Sequence, residues 1–174
     1  KRIAEGVDIP QILYNVPGRT MCDLSLETVN ALADIPNIVG IKDATGDKNR
    51  GLALIDRCSD RLAIYCGEDA LNCELILAGA KGAISVTANV APAEMSRVCE
   101  LAMAGDAESA REVDSALKLL HRDLFVEANP VPVKWALWQM GRINRGIRLP
   151  LVELDEQFHV KVLDALLNAG INVG

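Results

Sequence analysis

Residues 38–42 read Ile-Val-Gly-Ile-Lys and run straight into Asp43-Ala44-Thr45-Gly46. Five residues are too few for a helix, and apolar side chains stand on both alternating faces, which is how a buried parallel strand reads. Residues 11–15, 62–66 and 83–86 repeat the pattern, each ahead of a polar or glycine-containing turn. Between them, residues 24–33, 50–58 and 70–78 carry apolar side chains at helical spacing. Strand, loop and helix recurring about every 20–27 residues predict βα units with parallel strands.

Beyond Val86 the strands stop. Residues 93–104 place Met95, Val98, Cys99 and Ala102 on one helical face, and 107–125 do the same with Ala110, Val113, Leu117, Leu120 and Leu124. Asn129-Pro130 predicts a helix start with Asn129 as cap and Pro130 at the first position, and Gly141 suits its stop. Asp155 predicts the cap of a last helix that carries Phe158, Leu163 and Leu166 and ends near Gly170. The expected class is α/β: four parallel βα units over residues 1–105, then a helical domain over 106–174.

Half of the 174 residues are apolar, enough for a real core, and aromatics are so few (3%) that packing must rest on Leu, Ile, Val and Ala. A net charge of −6 gives no footprint for nucleic acid or an anionic membrane. No apolar run approaches the roughly 18 residues of a membrane span. Five cysteines without a CxxC pair read as reduced thiols of a cytoplasmic protein. His121 and His159 are too isolated to signal a metal site. Residues 1–6 look like the end of an amphipathic helix leading directly into a strand, so the chain is expected to be part of a longer one.

Four parallel strands suit an open doubly wound sheet or half a barrel. Neither GxGxxG nor GxxxxGK[ST] occurs, which removes the main support for nucleotide binding. Residues 79–82 (Gly-Ala-Lys-Gly) read as a helix-to-strand turn. Glycines and polar residues cluster just past the strand ends, where a barrel builds its active site.

Two side chains at those ends draw attention. Lys42 closes an apolar run, either as a lysine snorkelling to water or as a nucleophilic amine. An amine must be neutral to attack a keto carbon, and an apolar setting favours the neutral form. Tyr14 closes the preceding strand and is expected at the corresponding end, as a core aromatic or as a phenol able to move protons beside the amine. Arg19 follows in the loop; it is a solvated charge or a planar fork for a substrate carboxylate.

Taken together, Tyr14-Asn15-Val16-Pro17-Gly18-Arg19-Thr20 and Gly40-Ile41-Lys42-Asp43-Ala44-Thr45-Gly46 resemble the dihydrodipicolinate synthase and N-acetylneuraminate lyase superfamily. Cys66-Gly67-Glu68-Asp69, residues 82–89 (Gly-Ala-Ile-Ser-Val-Thr-Ala-Asn) and residues 129–134 (Asn-Pro-Val-Pro-Val-Lys) extend the resemblance over nearly the whole chain. The resemblance implies the second half of a (β/α)₈ barrel and a homotetrameric parent enzyme. It implies Lys42 as the Schiff-base lysine and Tyr14 as the proton relay. Ile84 would line the pyruvate site through its carbonyl, with Gly67 at the adjacent strand end. Arg19 would receive the carboxylate of aspartate semialdehyde. The implied reaction condenses pyruvate with aspartate semialdehyde in lysine biosynthesis without metal or organic cofactor. Another pyruvate-dependent aldolase, N-acetylneuraminate lyase-like, is the alternative activity. Four strands cannot close a barrel, so a half-barrel that only oligomerises is the non-catalytic alternative, and the chain by itself is expected to be inactive.

Overall fold

The computed structural model describes residues 1–173. The chain divides into two compact units, one of residues 1–84 with 102–106, the other of residues 85–101 with 107 onward.

In the first unit the order is α1 (Arg2–Gly6), β1 (Gln11–Asn15), α2 (Pro17–Thr20), α3 (Leu26–Leu32), β2 (Ile38–Asp43), α4 (Lys48–Cys58), β3 (Ala63–Cys66), a 3-10 turn (Asp69–Leu71), α5 (Asn72–Leu77) and β4 (Gly82–Ala83). The strands form one parallel sheet in sequential order β1-β2-β3-β4. Strand alternation sends successive side chains to opposite faces. Ile41 and Ile64 point to the face shared with Val29 of α3 and with Leu54 and Cys58 of α4, and these buried side chains form one core. Each such aliphatic side chain contributes about 1.5–3 kcal/mol by leaving water. Ser25 caps α3 by accepting from the backbone N–H of Thr28 at 3.2 Å.

The opposite face differs from the sequence expectation of strands covered on both sides. Ile12, Tyr14 and Ile84 are exposed there, and Lys42 and Tyr65 are only half-buried. β4 is also shorter than expected: it holds Gly82–Ala83, not residues 83–86. Ile84 still donates its N–H to the Cys66 carbonyl at 2.8 Å. After it, Ser85 Oγ accepts from the Ala88 N–H at 3.0 Å and Asn89 Nδ2 donates to the Val86 carbonyl at 2.9 Å. These local bonds fold residues 87–89 into a 3-10 turn and compete successfully with the ladder.

In the second unit, α7 (Ala107–Asp123) packs against α9 (His159–Asn168), which also meets α8 (Val131–Gln139). α6 (Pro92–Met103) contributes its residues up to Leu101. Met95, Val98, Ala110, Leu117, Leu120, Leu124 and Leu166 are buried as their spacing predicts, Cys99, Val113 and Leu163 are only half-buried, and in α9 Val162 and Ala165 are buried instead of Leu163. The start of α8 departs from expectation: Pro130 is the cap, without a side-chain bond, and the helix begins at Val131. Pro132 sits in the first turn, where its missing N–H leaves no bond unmade, so Asn129-Pro130 falls just outside. Asp155 does cap, accepting from Gln157 N–H at 3.0 Å, but it opens a 3-10 turn (Glu156–Phe158) that holds Phe158 ahead of α9. No helix among the described residues is long and apolar enough to cross a membrane.

Arg19 was expected in a loop but lies on α2, which ends at Met21 in the left-handed region (φ 53°, ψ 24°). A Cβ is disfavoured there, and the Met21 side chain, 91% exposed, buries little surface to offset the cost. Met21→Gly is therefore expected to stabilise the protein by about 0.5–1 kcal/mol. Urea unfolding should show a higher midpoint at unchanged slope; a lower midpoint would show that the side chain contributes packing after all.

Candidate active site

Parallel register pairs Tyr14 with Lys42 and Lys42 with Tyr65, so the three side chains form a row across the exposed face near the carboxyl ends of the strands. The Lys42 Nζ lies 4.3 Å from the centroid of the Tyr14 ring, over its face. That contact keeps the amine beside the phenol-bearing ring. Gly67, just past β3, completes the seat. A Cβ there would stand 2.7 Å from Lys42 Cε, 2.8 Å from Ala44 Cβ and 3.1 Å from the Asp43 carbonyl oxygen. Only glycine lets the backbone approach the lysine stem so closely. Ile84 is tied beside it through the Cys66 carbonyl. Arg19 is exposed on α2, two residues past Pro17, which opens that helix.

One residue further along each strand, on the helix-covered face, a polar row runs under the amine. Asn15 and Asp43 are register partners and both are buried. Asn15 Nδ2 donates to Asp43 Oδ2 at 3.1 Å and to Asp23 Oδ1 at 2.8 Å, while its Oδ1 accepts from the Leu24 N–H at 3.1 Å. Asp43 Oδ1 accepts from the Thr45 hydroxyl at 2.6 Å, and Arg50 Nε donates to Asp43 Oδ2 at 2.9 Å. Arg50 reaches this point because Asp47 caps α4, accepting from the N–H groups of Asn49 and Arg50 at 2.9 and 3.2 Å. The same guanidinium donates to the Leu24 carbonyl and pairs with Asp23 at 3.5 Å. Burial pushes the Asp43 carboxyl up, but bonds from Thr45, Arg50 and Asn15 outweigh it and hold it below its ordinary value.

Chemically, the amine is the nucleophile this site offers. Cys66 is the nearby alternative, but burial pushes its thiol up to about 12, and it donates to the Glu68 carbonyl at 3.2 Å. A thiol held protonated is a poor nucleophile. Asn15, Asp43 and Arg50 had not been singled out in the sequence. The signal was present as Tyr-Asn and Lys-Asp at the ends of consecutive strands, a polar residue directly behind each candidate group.

The family model for the dihydrodipicolinate synthetase family matches residues 1–169. A curated 4-hydroxy-tetrahydrodipicolinate synthase from Thioalkalivibrio sulfidiphilus is 58% identical over 173 residues, covering 99% of this chain and 59% of that protein. Its counterpart from Marinobacter nauticus is 59% identical over 172 residues, covering 98% and 59%. Among solved structures, the chloride-inhibited dihydrodipicolinate synthase from Acinetobacter baumannii, complexed with pyruvate, superposes with a TM-score of 0.96 at 56% identity, over 98% of this chain and 59% of that one. The enzyme from Aquifex aeolicus does so at 0.94 and 36% identity, over 99% and 59%. The chain thus spans about 59% of the length of these relatives. With the match running from end to end of the sheet and through the helices beyond it, the chain belongs to the dihydrodipicolinate synthetase family.

Proposed function

We propose that the protein condenses pyruvate with aspartate semialdehyde to 4-hydroxy-tetrahydrodipicolinate in lysine biosynthesis, with Lys42 as its imine-forming amine. The observation that carries this reading is the placement of Lys42: in register with Tyr14, over its ring, and held against Gly67. The name shared by the curated relatives, and the pyruvate bound by the Acinetobacter enzyme, support it. In this reading the neutral Lys42 amine attacks the keto carbon of pyruvate, and the carbinolamine loses water to give an imine. A methyl proton then leaves, and the resulting enamine carbon bonds to the aldehyde carbon of the second substrate, whose oxygen takes a proton. The amino group of that substrate then attacks the re-formed imine carbon and expels the Lys42 amine, closing the ring. The Tyr14 phenol carries protons between these steps, and the imine nitrogen is the electron sink. The Ile84 carbonyl and Gly67 line the pyruvate end, and Arg19 takes the carboxylate of aspartate semialdehyde.

The sheet is, on the same reading, the second half of a (β/α)₈ barrel over residues 1–105, with a helical domain over 106–174. The exposed row of Ile12, Tyr14 and Ile84 would be barrel interior, and the working form a homotetramer. Free and mostly buried cysteines fit a cytoplasmic setting.

The deciding experiment is borohydride reduction with pyruvate on the protein at its full natural length. One pyruvate-derived adduct is expected on the peptide that holds Lys42; an adduct on Lys48 or Lys81 would displace the assignment. Arg19→Ala should leave that adduct intact while lowering kcat/KM for aspartate semialdehyde by roughly 30- to 1,000-fold, the equivalent of about 2–4 kcal/mol. Unchanged kinetics would make Arg19 a surface charge, and a preference for N-acetylmannosamine would indicate the sialic-acid lyase activity instead. Gly67→Ala should push the lysine stem aside and slow adduct formation on the order of 10- to 100-fold. Adduct formation at the normal rate in that variant would mean the close approach is incidental.

A further inference from the structure

Resting on the reading of Lys42 and Tyr14 just given, we propose that Asn15, Asp43 and Arg50 form a positioning network that sets the spacing of these two groups from the buried side of the sheet. Each candidate group is followed directly by a network member: Tyr14 by Asn15, Lys42 by Asp43. Alternation puts the pair on the face away from the chemistry, and register makes them neighbours. Their mutual bond at 3.1 Å therefore clamps the ends of β1 and β2 together one residue beyond the amine and the phenol. Arg50 extends the clamp to the segment that follows α2, through Asp23 and the Leu24 carbonyl, and Asn15 holds the same segment through Leu24 N–H and Asp23. The segment directly after α2, the helix on which Arg19 lies, is thus tied through Asn15 and Arg50 to the same carboxylate as the strand that carries Lys42.

The requirement is specific to a carboxylate at residue 43. Its two oxygens accept from Asn15 and Arg50 on one side and from the Thr45 hydroxyl and N–H on the other, the last at 3.3 Å. An amide of the same shape offers one acceptor oxygen and one donor group, so one side of the clamp faces a donor whichever way it turns. The lost bonds are buried or part-buried, where an unmatched donor is costly to leave and the strand end shifts to relieve it. A displacement of about 1 Å at a reacting group suffices to lower turnover roughly 100-fold. Core packing elsewhere in the sheet does not touch these atoms and would hold the fold.

The test measures the rate of pyruvate adduct formation on Lys42, kcat, KM for aspartate semialdehyde and the melting temperature in full-length protein. In Asp43→Asn, adduct formation and kcat are expected to fall about 10- to 100-fold, with the protein folded at the assay temperature. Asp43→Glu, which keeps both acceptor oxygens, should recover a large part of the rate. Arg50→Lys, closer to the surface, keeps the charge and loses the fork. It should slow the adduct step in the same direction by a few fold, and it stands in if Asp43→Asn does not fold. Rates in Asp43→Asn and Arg50→Lys within twofold of the unaltered protein would overturn the proposal. So would losses matched by the fraction unfolded and not recovered by Glu. If the unaltered protein forms no adduct on Lys42, the reading of the site falls and the positioning role with it. If it does and the variants form it equally fast, only the positioning role falls.

Discussion

The register of β1 against β2 is the constraint on which the candidate site depends. Sliding β1 by one residue would bring Asn15 beside Lys42 and send Tyr14 to the helix-covered face, because side chains alternate with period two. The pairing of Tyr14 with Lys42 and of Asn15 with Asp43 excludes that slip twice over. On one face it would bury a phenol against Val29 and Leu54, and on the other it would expose a bonded amide. Register is thus held by side-chain chemistry as much as by the ladder. The strand that carries the amine can neither slide nor tilt without breaking buried bonds.

This arrangement divides the work of each strand. Ile41 and Ile64 supply core on the helix-covered side, while Tyr14, Lys42 and Tyr65 present polar groups on the other. The carboxyl ends are where the two functions meet, since the chain leaves the core there and enters short turns. Helix α4 illustrates the economy of this. Asp47 fixes its first turn, and the first turn in turn delivers Arg50 to Asp43. A cap that would otherwise matter only to helix stability aims a guanidinium at the site.

Much of this was legible in the sequence because it follows from local pattern. Apolar runs and helical spacing located the strands and the principal helices, and the matching strand ends of Tyr14 and Lys42 followed from consecutive parallel strands. What was not legible depended on competition between local and distant bonds. Residues 83–86 have strand composition, yet Ser85 and Asn89 bond their own neighbours and end β4 at Ala83. Asn129-Pro130 has the form of a helix start, yet Pro132 occupies the first turn. The partnership of Asn15 and Asp43 has no local signal, since it spans 28 positions of sequence and exists only once the register is formed. Gly67 could be placed at a strand end but not explained, since its role lies in what a Cβ would strike.

Asp43 and Cys66 show why burial alone does not decide the chemistry of such a sheet end. They are register partners on the same face, and both are almost wholly buried. Burial pushes both groups up, toward their neutral forms, as it must for any acid. For Cys66 burial prevails: the bond to the Glu68 carbonyl offsets only part of it, the carboxylates of Glu68, Asp69 and Asp43 add to it, and the thiol is pushed up to about 12. For Asp43 three side chains donate to the carboxylate, one of them a guanidinium, and together they outweigh the burial. One position thus holds a fixed negative charge and its neighbour a silent thiol. The fixed charge is matched by Arg50 on the helix-covered face, so it is engaged locally instead of acting as an open counter-ion to the amine across the sheet. A carboxylate satisfied in this way ties the end of β2 to its neighbours through Asn15, Thr45 and Arg50, and its charge is spent on the guanidinium instead of on Lys42.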